Sequence, residues 1–317
     1  MLSALLACEK TTWFEIDQVN GRKPSEGPRQ TTNLHKEGEN MSEQIDTGTN
    51  ELLCEIDQRV ATITLNRPEK RNALSDFLTP ALRQTLLDLE TRSDVGCIVI
   101  TGAGKAFCAG GDIGGMGGGS TKQQPAQPTP TMADRVRTLV HKQETLTLRL
   151  FDHAKPTIAA LPGVAAGAGL CIALACDIRI GAASSFVTTA YRNIGFSGDY
   201  GGSWLLNQLV GPAKAKELFF TGRRVQSDEA LALGIYNQVA DDDDFAATVT
   251  EMAQYIASGP PIALGFMKQN INSAIAGSLR DNLAREADCL TRCAATEDHK
   301  EAVAAFMAKR KPEFHGR

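Results

Sequence analysis

Two glycine-bearing turns hold the residues best placed for chemistry: Cys108-Ala109-Gly110-Gly111-Asp112-Ile113 and Gly163-Val164-Ala165-Ala166-Gly167-Ala168-Gly169-Leu170. Each follows an apolar, β-branched run and enters a segment that can be helical. At the end of such a turn, backbone N–H groups have no ladder or helical carbonyl to bond. Two turns facing each other would give an oxyanion two N–H donors, which suits chemistry through an enolate or a tetrahedral anion.

The surrounding pattern must position those turns. Residues 52–56 and 60–65 read as paired strands around Asp57-Gln58-Arg59. Ser75 can cap a helix whose Leu78, Leu82, Leu86 and Leu89 recur at helical spacing. Residues 97–101, 157–161 and 178–180 read as buried strands. After Trp204 the pattern is helical almost throughout, ending in a charged helix near Arg310. A mixed α/β core followed by a helical region is expected.

Two stretches lack such patterning. Residues 15–50 are polar, and such a composition buries too little surface to offset ordering, so residues 1–50 are expected to be a disordered tail. Met41 lies just upstream of the first clear strand near Leu52, which raises a start-site reading in which residues 1–40 are an artefact. The run from Gly114 to Pro130 reads as a flexible surface loop, either an idle insertion or a mobile lid.

The chain has 317 residues, with 33 Lys and Arg against 37 Asp and Glu, a formal charge of −4. That balance advertises no general nucleic-acid footprint. No apolar run approaches transmembrane length, and the short apolar start ending at Cys8 lacks the basic region of a signal peptide. None of the eight cysteines forms a C-x-x-C pair. Reduced thiols, a cytoplasmic location and no metal are therefore expected.

Several motifs are set aside. Thr101-Gly102-Ala103-Gly104-Lys105-Ala106 has Val99 and Ala106 where a phosphate loop needs Gly and Ser/Thr, and Phe107 where a dinucleotide fingerprint needs Gly. Gly195-Phe196-Ser197-Gly198-Asp199 lacks the last glycine of a hydrolase elbow. The acidic run 241–244 reads as a solvated helix N-terminus. His141, His153 and His299 have no catalytic partner by spacing and are expected in surface or loop positions.

Asn66-Arg67-Pro68, Asn72-Ala73-Leu74, the Ala109 to Ile113 turn, Lys155-Pro156-Thr157-Ile158-Ala159-Ala160 and the stretch from Gly163 to Asp177 resemble, in order and separation, the crotonase (enoyl-CoA hydratase/isomerase) superfamily. The resemblance runs from about Leu52 to the C-terminus. It implies a ββα superhelix, with the α/β core at 51–245 and a C-terminal helical region at 246–317 that mediates trimerisation into a homotrimer or hexamer. It also implies an acyl-CoA substrate, with coenzyme A entering only as part of that substrate and no cofactor.

By the same resemblance, Gly111 and Ala168 supply the two oxyanion N–H groups. Ala109, Asp112, Ile113, Gly114 and Gly167 become substrate contacts, with Asp112 to Gly114 along the adenine and pantetheine path. Lys309 matches a lysine that can reach coenzyme A on a neighbouring subunit; an ordinary cation at a helix C-terminus is the competing reading.

The sequence departs from a standard hydratase, which holds its water with two glutamates. Cys171 stands at the first position, and the second falls at Ala190-Tyr191. Asp199 remains, and an aspartate at that place is typical of family isomerases such as dienoyl-CoA isomerase and ring-1,2-epoxyphenylacetyl-CoA isomerase. One carboxylate suffices to take a proton and return it at another carbon. The expectation is therefore isomerisation with Asp199 as acid/base, and with Tyr191 and Cys171 as pocket lining. A water-adding hydratase of fatty-acid or aromatic-acid breakdown, and a non-catalytic binding protein of the same fold, are the alternatives.

Overall fold

The computed structural model describes residues 42–112 and 130–317. Expectations for residues 1–41, including the start-site reading and Cys8, lie outside the described residues. So do those for the glycine-rich run and for Ile113 and Gly114.

The strands are β1 (Glu43–Ile45), β2 (Leu52–Asp57), β3 (Val60–Leu65), β4 (Cys97–Gly102), β5 (Ala106–Cys108), β6 (Thr157–Leu161), β7 (Val164–Ala166), β8 (Ile178–Ala182), β9 (Phe186–Thr188), β10 (Val225–Gln226) and β11 (Gln238–Ala240). Among the described residues they form two sheets. A seven-stranded one runs β1-β2-β3-β4-β6-β8-β11, and a four-stranded one runs β10-β9-β7-β5. The hairpin β2–β3 is antiparallel, whereas β3, β4, β6, β8 and β11 pair in parallel.

A repeat explains this layout. The pairs β4–β5, β6–β7 and β8–β9 each give one strand to the large sheet and the next to the small one. A helix follows each pair: α2 (Met132–Gln143), α3 (Ala168–Ala175) and α4 (Gly202–Thr221). This is the expected ββα superhelix.

Period-two patterning settles which face each side chain takes. Ala61, Ile63, Leu65, Ile98, Ile100, Ala159 and Leu161 enter the main core with α1 (Leu78–Glu90). Leu78, Leu82, Leu86 and Leu89 are its buried stripe. The alternate residues Val60, Cys97, Val99, Ile158, Ala160 and Ile180 pack against Val249, Ala253 and Ala257 of α6 (Phe245–Ala257). The helix α3 is buried along its whole length, which its small and apolar sequence AGLCIALA permits.

The chain then continues through α7 (Pro261–Ala274), α8 (Leu279–Ala294) and α9 (Glu297–Ala308), while α5 (Ser227–Ala232) precedes β11. Large apolar side chains stay exposed on these last helices, among them Ile271, Leu283, Leu290 and Phe306.

One expectation needs correction. Within the stretch expected to be disordered, Glu43–Ile45 pairs antiparallel with β2, where edge hydrogen bonds compensate for a polar sequence. The first helix of the expected C-terminal helical region packs on one face of the core sheet. Ser75 caps α1 as expected, its hydroxyl accepting from the Leu78 amide at 2.9 Å and its carbonyl from the Thr79 amide at 3.2 Å.

Candidate active site

The two glycine turns leave adjacent strands. β5 and β7 pair in parallel with a register shift between Ala106 and Cys108, and each turn follows at its strand's C-terminal end. Asn72 pins the first turn from beneath. Fully buried, it accepts the Arg67 amide at 2.9 Å and donates to the carbonyls of Ala103 at 3.0 Å and Ala106 at 2.7 Å. Leu74 then bonds the turn itself: its amide donates to Gly110 at 2.8 Å and its carbonyl accepts from Asp112 at 3.1 Å. That bridge spans Gly111 and leaves the Gly111 N–H without an acceptor among the described residues.

The second turn is set by Gly167, whose φ of 52° and ψ of −126° suit glycine alone. Its amide donates to Thr188 at 3.1 Å. Ala168 follows as the first residue of α3, where an amide has no intrahelical acceptor. The N-terminal end of the helix dipole adds favourable potential for an anion there.

Both turns open on one cavity of about 660 Å³. Ala109, Gly110, Gly111, Asp112, Gly167, Ala168, Tyr191 and Asp199 line it, with Phe77, Leu139, Ile194 and Phe196 supplying apolar wall. The structure thus brings together every described site residue expected from the sequence except Lys309. That residue is exposed, ends α9 in a left-handed conformation at φ 52°, and does not line the cavity.

Asp199 sits on a loop with left-handed backbone at Gly198, Tyr200 and Gly201. The Tyr200 amide donates to Gln143 Oε1 at 2.6 Å, and the Gly202 amide donates to the Asp199 carbonyl at 3.1 Å. Burial pushes the Asp199 carboxyl above the ordinary carboxylate range, while a hydrogen bond from the Tyr191 hydroxyl at 2.7 Å opposes that rise. Other carboxylates around the cavity are differently placed. Glu51 lies 3.5 Å and Asp112 3.1 Å from the Arg67 guanidinium, and Asp76 is exposed.

Cys171 is not pocket lining. It is buried behind Tyr191, and desolvation pushes its thiol up to about 12. His153 lies in a loop, as one half of the expectation had it, but is almost fully buried rather than at the surface. Sequence reasoning missed Arg67 as the partner of Asp112, and the Tyr191–Asp199 bond, because neither contact has a spacing signature. Among the described residues, no group of three or more His, Cys, Asp or Glu side chains is placed to hold a metal ion, and no helix is long and apolar enough to cross a membrane.

The sequence model of the enoyl-CoA hydratase/isomerase family matches residues 55–317. The chain is 36% identical over 266 residues to 1,2-epoxyphenylacetyl-CoA isomerase of Escherichia coli, covering 84% of this chain and 98% of the relative. It is 34% identical over 265 residues to short-chain-enoyl-CoA hydratase of Clostridium acetobutylicum, covering 83% and 97%. The solved enoyl-CoA hydratase of Bacillus anthracis superposes with a TM-score of 0.77 at 30% identity, covering 84% of this chain and all of that one. The chain belongs to the enoyl-CoA hydratase/isomerase family, the crotonase superfamily of enzymes.

Proposed function

We propose that the protein is an acyl-CoA-processing isomerase that moves a double bond of an enoyl thioester through an enolate. The Gly111 and Ala168 amides receive the thioester oxygen, whose charge grows as a substrate C–H bond breaks. Asp199 takes that proton and returns it at another carbon, so the electron pair moves from C–H to the enolate and back into a new C–H bond. Each amide contributes about 3 kcal/mol of transition-state stabilisation. One observation carries this reading: Asp199 is partly buried in the cavity and forms no ion pair among the described residues, unlike Glu51 and Asp112.

Ala109, Asp112 and Gly167 line the same cavity and serve as substrate contacts, Asp112 along the adenine and pantetheine path. The proton transfer asks for no metal or redox cofactor, and coenzyme A enters as part of the substrate. The exposed apolar side chains of α7 to α9 support self-association as a trimer or hexamer, with Lys309 then facing a neighbouring subunit's coenzyme A. Buried free thiols suit a reducing cytoplasm.

The likeness to a short-chain-enoyl-CoA hydratase keeps water addition as the second reading. Crotonyl-CoA separates the two through loss of its conjugated absorbance. Rapid hydration that survives Asp199→Asn would sink the single-carboxylate isomerase. Absence of α-proton exchange in deuterium oxide for every acyl-CoA tried would remove the enolate itself.

A further inference from the structure

We infer that Tyr191 is a positioning residue: its hydroxyl holds Oδ1 of Asp199 and leaves Oδ2 as the oxygen that transfers the proton. The inference rests on Asp199 as the acid/base.

The phenol is fixed from several sides. Tyr191 opens a short 3-10 helix, Tyr191–Ile194, directly after Ala190 at φ 57°. Its ring is buried and stacks on Phe219 of α4, with centroids 6.0 Å apart and 5° between planes. Behind the hydroxyl, Cys171 Sγ lies 3.2 Å away. That thiol also lies 3.2 Å from the Gly167 carbonyl and 3.4 Å from the Asp199 carbonyl. It is wedged, since a methyl group on Gly202 would fall 2.5 Å from the sulfur.

A phenol so placed has one use. Burial raises the Tyr191 pKa, and the neighbouring Cys171 and Asp199 raise it further, so the hydroxyl keeps its proton. It donates that proton to Asp199 Oδ1 at 2.7 Å. The side-chain bond from the described residues goes to Oδ1, which leaves Oδ2 for the substrate. The other titratable groups facing Asp199 are Cys171 from α3 and Tyr200 from its own loop. Arg83 of α1 lines the same cavity, as does Lys142, and reaches the Tyr200 hydroxyl at 3.4 Å.

By resemblance, Cys171 and the Ala190-Tyr191 pair fall where a two-glutamate hydratase would hold its water. Here Cys171 and Tyr191 instead brace one carboxylate. A donated hydrogen bond stabilises the charged form and offsets part of the burial effect, keeping Asp199 available as a base nearer neutrality.

Tyr191→Phe keeps the ring and removes the hydroxyl. The expected result is a fall in kcat of about tenfold with KM within about twofold, and an acid limb moved up by about one pH unit. A ¹³C-carboxylate titration of Asp199 should move up by the same amount without any substrate. An unchanged titration with an unchanged acid limb overturns the inference. If Tyr191→Phe does not fold, 3,5-difluorotyrosine at position 191 replaces it. Its more acidic hydroxyl should move the Asp199 titration downward, and no movement again overturns the inference. The acid/base reading fails separately, if the titration shifts as expected while Asp199→Asn retains full turnover.

Discussion

The backbone of Gly110 runs so close to the second turn that a methyl group on it would lie 2.9 Å from the Ala166 carbonyl oxygen and 3.6 Å from the Ala168 nitrogen. This contact limits how closely the two turns approach, and the proposed oxyanion donors Gly111 and Ala168 lie on those turns. Gly110 also has φ +92°, where a side chain is strained in any case. Gly110→Ala should therefore cost about 2 kcal/mol of stability. It should also lower kcat/KM about 100-fold by spreading the turns. Urea denaturation and steady-state kinetics on the same sample check both effects.

Asp199→Asn should lower turnover by about 10²–10⁴-fold while leaving the fold intact. Its effect on stability has the opposite sign. Burial raises the native pKa above 3.8, so as pH climbs the unfolded chain releases this proton first. Wild-type protein thus loses stability between 3.8 and the raised native value, and the asparagine variant does not lose that contribution. Denaturation midpoints at pH 4 and pH 8 should show the variant gaining on wild type at the higher pH.

His153 should make stability sensitive to mild acid. Its Nδ1 accepts the Lys155 amide at 3.1 Å, and its Nε2 lies 3.1 Å from the Leu86 carbonyl, an arrangement that suits the neutral ring. Burial lowers its pKa from 6.5. Stability from this site is therefore present above pH 6.5 and is lost as pH falls from there toward the depressed native value. His153→Gln should flatten that slope, read from denaturation curves between pH 7 and pH 5.

Lys268 on α7 meets Asp177 Oδ2 at 2.9 Å, with side-chain exposures of 8% and 27%. The same oxygen accepts from the amide and hydroxyl of Thr157 at the start of β6. Removing the lysine from this partly buried pair costs about 2 kcal/mol, because the Asp177 charge stays behind with only its Thr157 hydrogen bonds. Lys268→Met should show that loss in its denaturation midpoint, and hydrogen exchange should rise first in α7.

Much of this fold is legible residue by residue. The alternation in residues 60–65 and 97–101, the leucine spacing of α1 and the glycines of both turns state their roles locally. The polar edge strand β1 does not, since its order comes from pairing with β2. The α6 helix reads as amphipathic, but its sequence does not name the sheet face it closes.

With the ββα superhelix and the missing hydratase glutamates implied only by resemblance, the sequence by itself determined a mixed α/β core and the two glycine turns. These depend on short-range periodicity and on backbone angles that only certain residues adopt. Tertiary structure alone decided that Gly110 abuts Ala166, that Arg67 holds Asp112, and that Tyr191 donates to Oδ1 of Asp199. Each of those contacts joins segments whose separation along the chain carries no signal. They exist because packed strands and helices bring the loops to one end of the sheets, and side-chain reach and burial do the rest.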